Sequence, residues 1–298
     1  MFEELINYFT EQDVEYQRNI SFASISSLKC GGRVNLAVMP DSIDKLVGVI
    51  RFLENKGIKY RLVGNMTNVL PKDGVYEGVL VRTVKLNRFS VKGNEVIAEC
   101  GCLTKTLLGR LALMGLGGAE ELFMIPGSVG AMCVGNAGAH GVCMSDVFLS
   151  GEFYSPKDGR VVRLDNEEMR FSYRSSFAKD NSLILLSCRI RLEKQETAEI
   201  CKRIKHFASL RRQSQPVTEP SLGSFYKRQD GVSMGYYTEI LGLKGLRVGG
   251  AAISEKHGGF LVNKGGAESC DFLELDRIIK QKTNEGFGFT PTFEIELL

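Results

Sequence analysis

Only three histidines occur in the chain, and no two of its eight cysteines stand at Cys-x-x-Cys spacing. No zinc-ligand pattern can be written, and no metal is expected. The one close pair, Cys100 and Cys102, reads as buried strand thiols, and free thiols at irregular spacing suit a reducing cytosol. Apolar runs of membrane-spanning length are missing, and Met1–Thr10 carries Glu3 and Glu4 without the basic region of a secretory signal. Charge of one sign is scarce. Lys and Arg number 38 against 35 Asp and Glu, leaving +3, too little to argue for nucleic acid or a membrane surface. No repeat or low-complexity tract is present, and no Gly-x-Gly-x-x-Gly follows a strand, so a Rossmann fingerprint is not supported. A 43% hydrophobic, 24% charged composition over 298 residues leaves an ordinary soluble protein, expected in the cytoplasm, with room for two or three domains.

What is abundant is glycine, and it gathers in one stretch, 125–141: Ile-Pro-Gly-Ser-Val-Gly-Ala-Met-Cys-Val-Gly-Asn-Ala-Gly-Ala-His-Gly. Gly127, Gly130, Gly135, Asn136, Gly138, His140 and Gly141 are hard to explain as core. Glycine lets backbone approach a ligand closely, and N–H groups left over in such a turn point well at phosphate oxygens. A plain glycine-rich hairpin loop fits the composition equally well.

Hydrophobic periodicity divides the rest. Phe2–Phe9 has apolar residues at 2, 5, 6 and 9, a short amphipathic helix. Val34–Met39 reads as a strand. A helix capped by Asp41 or Ser42 follows, with Ile43, Leu46, Val47, Ile50 and Leu53 on one face and Gly57 at its end. Tyr60–Val63 is a buried strand running into the polar loop Gly64, Asn65, Met66, Thr67, Asn68, where ligands of α/β sheets tend to bind. A strand over Val79–Val84 closes a first unit, 1–88. The second, 89–210, has a hairpin at Val91–Val96, a helix over Thr104–Met114 and the glycine-rich stretch. Strands follow at Val147–Tyr154, Val161–Leu164 and Leu183–Leu192, then a helix over Thr197–Arg212 with Ile200, Ile204, Phe207 and Leu210 on one face. Pro216 and Pro220 break any helix, so a boundary is placed near 210. The third unit, 211–298, has a turn at Gly223-Ser224, a helix over Asp271–Thr283 and a terminal strand, Thr292–Leu298.

Four polar features can carry chemistry. Arg174, flanked by Tyr173 and two serines, suits an anion clamp or a solvated surface. Ser224 lacks the Gly-x-Ser-x-Gly context of a hydrolase nucleophile; three scattered histidines give a serine-hydrolase triad only weak support, and the hydroxyl can also act as a positioned proton donor. Glu294 and Glu296 share a face of the terminal strand, and a solvated acidic edge is the simpler account of them. Lys227 and Arg228 follow Ser224, and Arg211 and Arg212 precede it. Such a cationic cluster suits either ordinary surface charge or a nucleotide diphosphate.

Read together, these segments resemble the UDP-N-acetylenolpyruvoylglucosamine reductases, flavoenzymes of peptidoglycan precursor synthesis. The resemblance covers about 20–298 and rests on the joint order of Ile125–Gly130, Asn136–Ala139, Tyr173–Ser176, Gln215-Pro216, Pro220-Ser221, Gly223-Ser224, Gly242–Gly245, Gly249–Ala251, Ser254–His257, Val262-Asn263 and Glu294. The short span from Arg174 to Ser224 is similar to the family's second type, which lacks an extra insertion. The resemblance implies an α+β fold: an FAD-binding module of the vanillyl-alcohol-oxidase (PCMH) type in two subdomains, then a C-terminal α/β substrate-binding domain. It implies noncovalent FAD, with its pyrophosphate against the backbone of 64–68 and of Gly127, Ser128, Val129 and Gly130, and with Asn136, Gly138 and Ala139 on the isoalloxazine side.

NADPH is implied as co-substrate and a UDP-sugar as the small-molecule partner. Ser224 matches the proton donor to C2 of the enolpyruvyl group. Arg174 and Glu294 match the pair that polarises its carboxylate; Tyr173, Gln215 and Lys227 are expected among the substrate contacts, and Arg228, which stands where the family has Asn, is expected to bind a diphosphate or uridine-side anion. Several positions depart from the family pattern. Met66-Thr67 stands for Gly-Ser, Ala131-Met132 for Gly-Ala, His140 for an aromatic residue, Arg228-Gln229 for Asn-Pro, and Glu296 for arginine. Two other readings stay open: a relative that binds FAD or nucleotide without this turnover, and an FAD-linked oxidase attaching flavin through His140.

Overall fold

The computed structural model describes residues 2–298; Met1 and the side chain of Phe2 lie outside, and with them the part of the N-terminal reading that used those two positions. By contacts the chain divides into two discontinuous units, one of 1–17, 37–64 and 78–209, the other of 18–36, 65–77 and 210–298.

The first unit is built around a five-stranded antiparallel sheet in the order Arg160–Asp165, Phe148–Ser155, Ile184–Arg191, Glu95–Glu99, Phe89–Lys92. Its last two strands form the expected hairpin, in which Lys92 faces Glu95 across Gly93 at φ 67. The helix Val129–Val134 packs on the central strand Ile184–Arg191. Tyr60–Val63 pairs in parallel with Val79–Arg82, the end of a strand that starts at Val75 rather than at Val79 and stops at Arg82 rather than at 84. The helix Ile43–Asn55 is capped by Ser42, whose hydroxyl accepts the Lys45 N–H at 3.2 Å. It buries Leu46, Val49, Ile50 and Leu53, while Ile43 and Val47 are only half-buried. Phe52 of this helix stacks on Tyr8 of the helix Phe2–Glu11, ring centroids 3.7 Å apart.

The second unit has a four-stranded antiparallel sheet in the order Ser221–Ser224, Phe260–Asn263, Ala251–Ile253, Arg247–Val248. The helix Ser269–Phe287 covers it, burying Phe272, Leu275, Asp276, Ile279 and Thr283 at helical spacing. This helix is longer at both ends than its apolar pattern suggests. At its start the Asp73 carboxylate accepts the N–H groups of Ser269 and Cys270, both at 2.9 Å. At its end Gly288 takes the left-handed conformation at φ 74.

Several expectations are corrected. Gly223-Ser224 is not a free turn: both residues end the strand Ser221–Ser224, and Gly223, at φ 78, sits at a register slip between Ser221 and Ser224. The terminal strand shrinks to Glu296–Leu297, which pairs in parallel with Val69–Leu70. The helix Thr197–Ser214 buries Ile200 and Ala208, leaves Ile204 and Phe207 half-buried, and exposes Leu210. The strand Glu15–Ser21 and the short helix Phe22–Ile25 lack a sequence signal, because the strand exposes five of its seven residues and no apolar alternation marks it.

Phe272 is fully buried among Leu222, Phe225, Met234 and Leu261 in the core of the second unit. Phe272→Ala is expected to cost about 3–5 kcal/mol. Leu273→Ala, on the exposed side of the same helix, should stay within about 0.5 kcal/mol. Urea unfolding of the two variants checks the contrast, and equal losses would contradict this account of the core.

Candidate active site

In the first unit the glycine-rich stretch is neither a loop nor a simple hairpin. Ser128 caps the helix Val129–Val134, and a small hairpin pairs Gly138–Ala139 with Val142–Cys143. The N–H of Val129 goes to the Cys102 carbonyl and that of Gly130 to the Cys100 carbonyl, both at 2.8 Å, while Ala131 N–H reaches Ser128 Oγ at 3.5 Å. These three N–H groups are used inside the protein, so a phosphate at 127–130 must rely on Gly127 and Ser128. A Cβ on Gly130 would lie 2.9 Å from the Cys100 carbonyl oxygen, and one on Gly138 would lie 2.5 Å from Cys143 Sγ. Both glycines are therefore demanded by close packing. Burial pushes the Cys100 and Cys102 thiols up to about 12, so they stay neutral beneath this helix.

Gly64, at the end of the strand Tyr60–Val63, meets the same stretch. A Cβ there would stand 2.7 Å from Ser128 Oγ, with the buried Thr83 hydroxyl 3.9 Å away. Arg82 precedes Thr83. Desolvation holds its guanidinium below the usual arginine range, and its buried Nε has no hydrogen-bond partner within the protein. A side-chain-free approach of two chain segments and an orphaned cationic donor in the same unit fit a bound anionic cofactor such as FAD. Neither Arg82 nor Thr83 was singled out from sequence; the signal was a polar pair ending an apolar strand.

Asn136, buried at φ 41, spends its side chain on the protein. Its Oδ1 accepts the Ser145 N–H at 3.0 Å and its Nδ2 donates to the Ser172 carbonyl at 3.1 Å. The second bond holds a tight turn in which Ser172 and Ser175 bond each other's backbone across Tyr173 and Arg174. Arg174 adopts φ 57, a conformation that non-glycine residues take at a cost. Its guanidinium lies 5.1 Å from the Tyr173 ring centroid, and its Nη2 approaches the Gly138 carbonyl at 3.5 Å. The structure thus brings Asn136, Gly138, Tyr173 and Arg174 together, with Ala139 next to Gly138 in the small hairpin.

In the second unit, Asn65, Met66, Thr67 and Asn68 form a loop anchored by its carbonyls. Met66 O accepts the Ser27 N–H at 3.3 Å, and Asn68 O accepts the Glu296 N–H at 2.9 Å. Asn68 Nδ2 donates to the Glu294 carbonyl at 3.2 Å. Ser224 pairs with Phe260. The next residue, Phe225, accepts the Glu294 N–H at 3.0 Å, and Lys227 N–H reaches the Thr292 carbonyl at 2.9 Å. The main chains bearing Ser224 and Glu294 are therefore neighbours. Arg228 is exposed, with Nη1 3.3 Å from the Gly231 carbonyl. Gln215 keeps a buried Oε1 for which the protein supplies no donor. Among the described residues, Asp73, Glu268 and Cys270 form the one group with metal-ligand atoms close together. It is exposed, and Asp73 serves it as a helix cap. No helix among the described residues is long and apolar enough to cross a membrane.

Comparison with known proteins places these features. A family described as "FAD binding domain" matches residues 34–165, and the "UDP-N-acetylenolpyruvoylglucosamine reductase, C-terminal domain" family matches 215–298. The UDP-N-acetylenolpyruvoylglucosamine reductase of Caldicellulosiruptor saccharolyticus is 36% identical over 288 residues, 96% of this chain and 93% of that one. The same enzyme of Thermosipho melanesiensis is 39% identical over 274 residues, 91% of each chain. The crystal structure of UDP-N-acetylenolpyruvylglucosamine reductase (MurB) from Thermus caldophilus superposes with a TM-score of 0.80 at 29% identity, covering 95% of this chain and 98% of that one. A berberine bridge enzyme variant shares the fold alone, with a TM-score of 0.50 and 13% identity over 65% of this chain and 44% of that one.

His257, in the second unit, was noticed only as part of a motif. Its Nδ1 accepts the Gly259 N–H at 3.0 Å, and Phe225, next to Ser224, donates its N–H to the Gly259 carbonyl at 2.9 Å. Desolvation, the largest cause, lowers the His257 pKa below its ordinary value. The unfolded chain therefore takes up the proton first. Stability from neutral His257 is complete above about pH 6.5 and is lost as pH falls from there through the lowered folded value. His257→Gln should flatten the drop in melting temperature between pH 7 and pH 5. An unchanged drop would contradict it.

Proposed function

The chain belongs to the UDP-N-acetylenolpyruvoylglucosamine reductase family, and from that premise we propose that Ser224, Arg174 and Glu294 carry its reaction. That reaction is the FAD-dependent, NADPH-driven reduction of UDP-N-acetylglucosamine enolpyruvate to UDP-N-acetylmuramate, a step of peptidoglycan precursor synthesis. The fold is an FAD-binding module of the vanillyl-alcohol-oxidase type followed by the reductase's C-terminal domain. Family membership favours this oxidoreductase over the oxidase and the no-turnover readings. We assign the chain to the cytoplasm and divide it functionally into 1–88 and 89–210 for FAD and 211–298 for substrate.

The chemistry supplied by bound FAD is the transfer of reducing equivalents from NADPH to the enolpyruvyl double bond. The chain's own residues handle charge and proton. Arg174 faces the substrate carboxylate and stabilises the negative charge that spreads into it from C2. Glu294 is the second member of the pair that polarises that carboxylate. The Ser224 hydroxyl gives its proton to C2, with Lys227 as the sequence-near cation that supports the resulting charge. The observation that carries this reading is the bond from Glu294 N–H to the Phe225 carbonyl, which sets the acid beside the segment of the proton donor. For FAD, Gly64, Asn65, Met66, Thr67 and Asn68 with Gly127 and Ser128 line the pyrophosphate side, Val129 and Gly130 support it through their bonds to the Cys102 and Cys100 carbonyls, and Asn136, Gly138 and Ala139 line the ring side. The internal bonds of Asn136 make it a support for the turn bearing Arg174. Tyr173, Gln215, Lys227 and Arg228 hold the UDP-sugar.

Purified protein should carry a flavin absorption band that bleaches with NADPH, and acid precipitation should release all of the flavin into the supernatant. Colour kept in the pellet would count for the oxidase reading and against noncovalent FAD. Ser224→Ala should leave flavin binding and NADPH reduction intact while slowing reoxidation by the enolpyruvyl substrate about 10²–10⁴-fold. Stopped-flow absorbance separates the two steps. Equal slowing of both, or of neither, would remove Ser224 from its role.

A further inference from the structure

The helix Ser269–Phe287 presents a polar cluster, with Asp276 buried and Lys280 half-buried, to the two segments that bear Ser224 and Glu294. Asp276 is 7% exposed, an unusual site for a carboxylate in the middle of an apolar helix face. Its Oδ1 accepts the Tyr226 hydroxyl at 2.8 Å and its Oδ2 accepts Lys280 Nζ at 2.9 Å. Lys280 Nζ lies 4.0 Å from the centroid of the Phe293 ring. Phe293 in turn stacks with Tyr226, centroids 5.8 Å apart at 18°, and meets Phe225 edge-on at 5.6 Å and 82°. Tyr226 and Phe293 face each other across an antiparallel bridge.

The sequence positions give this cluster its meaning. Phe225 and Tyr226 follow Ser224 directly, and Phe293 directly precedes Glu294. Packing alone would be met by any apolar side chains of similar volume, at lower desolvation cost than a carboxylate and an ammonium. Directional bonds from one carboxylate to a phenol and to a cation lying against the opposite ring do something apolar contacts do not. They fix rotamer and register of both segments against one rigid helix.

We propose that Tyr226, Asp276 and Lys280 are positioning residues for the reduction of the enolpyruvyl group, locking the main chain of Ser224 against that of Glu294. The inference rests on the roles given to Ser224 and Glu294 above. It takes these three side chains out of the ordinary core and ties them to the second half-reaction alone. A misplacement of reacting groups by about 1 Å costs up to roughly 10²-fold in rate.

The test uses full-length holoenzyme with Tyr226→Phe, which keeps the ring and removes only the hydroxyl, and Lys280→Met, which keeps the stem and removes the cation. Each is measured alone and combined with Ser224→Ala. Single variants should keep their flavin and be reduced by NADPH at the parent rate, while reoxidation by the enolpyruvyl substrate slows about 10- to 100-fold. In the Ser224→Ala background the same substitutions should slow reoxidation clearly less than in the parent, because the share of their effect that passes through the Ser224 hydroxyl is already lost while the share through Glu294 remains. Asp276→Glu should recover less than Asp276→Asn loses, since a longer carboxylate cannot keep both partners in place. Reoxidation within twofold of the parent in both single variants, or full multiplication of effects in the double variants, would overturn the inference. Ser224→Ala alone keeps the two claims apart. If it leaves reoxidation unchanged, the proton-donor reading fails. If it slows reoxidation while Tyr226→Phe and Lys280→Met do not, only the positioning role fails.

Discussion

One main-chain bond, from the Glu294 N–H to the Phe225 carbonyl, is the constraint on which the chemistry proposed for the second unit depends. A short terminal segment has little structure of its own. Only Glu296–Leu297 pairs as a strand, and it does so with Val69–Leu70 from a distant part of the sequence. What holds Glu294 is a sum of single bonds: its own N–H to Phe225, its carbonyl to Asn68 Nδ2, and the Glu296 N–H to Asn68 O. Phe225 is fully buried, and leaving its carbonyl unpaired would cost more than the made bond contributes. The arrangement is therefore stable only when all partners are in register, and the loop 65–68 and the Ser224 strand each supply part of that register.

The first unit solves a different problem, the close approach of glycine backbone to neighbouring side chains and carbonyls. Gly64 against Ser128, Gly130 against Cys100 and Gly138 against Cys143 are three places where a methyl group has no room. Once these contacts are made, the N–H groups of Val129, Gly130 and Ala131 are consumed and the helix Val129–Val134 is fixed on the sheet. Asn136 extends the same rigidity to the turn that carries Arg174, which stands at φ 57 only because both ends of the turn are bonded. Strain of this kind is tolerated where the surroundings over-determine the conformation.

Much of this was legible in the sequence, and the failures have physical causes. Elements with a strong period and local caps, such as Ile43–Asn55, Thr104–Leu113 and the hairpin from Phe89 to Glu99, were read nearly to their ends. Gly223-Ser224 was read as a turn because glycine at positive φ signals one, but the strand absorbs that conformation as a bulge. The terminal strand was overextended because alternation was taken for pairing, and partners so far apart in sequence leave no local trace. Ile204, Phe207 and Leu210 formed a convincing stripe, yet they are only partly covered. Phe207 instead carries the His140 ring, centroids 5.1 Å apart. Of the candidate site, the residue types were legible through family resemblance. The supports were not, because Thr83, Arg82 and Asp276 are ordinary letters until the fold gives them neighbours.

The departures from the family pattern become intelligible on the same terms. Met66 stands where relatives use glycine, and its φ of 49 explains that preference. Here the cost is met by burial, since the side chain is 2% exposed and the carbonyl is held by Ser27. Met132 is likewise buried, while Ala131 beside it is exposed, so neither substitution changes the glycines that pack the helix. His140, at φ 51, ends in an aromatic contact of its own. Glu296, where the resemblance puts arginine, donates its backbone N–H to Asn68 O and pairs with Val69. Against the family pattern of the resemblance, Met66 and Met132 depart at positions where the main chain does the holding, while the three residues proposed for the chemistry match it; a pattern of this kind alters packing around a site more than the site itself.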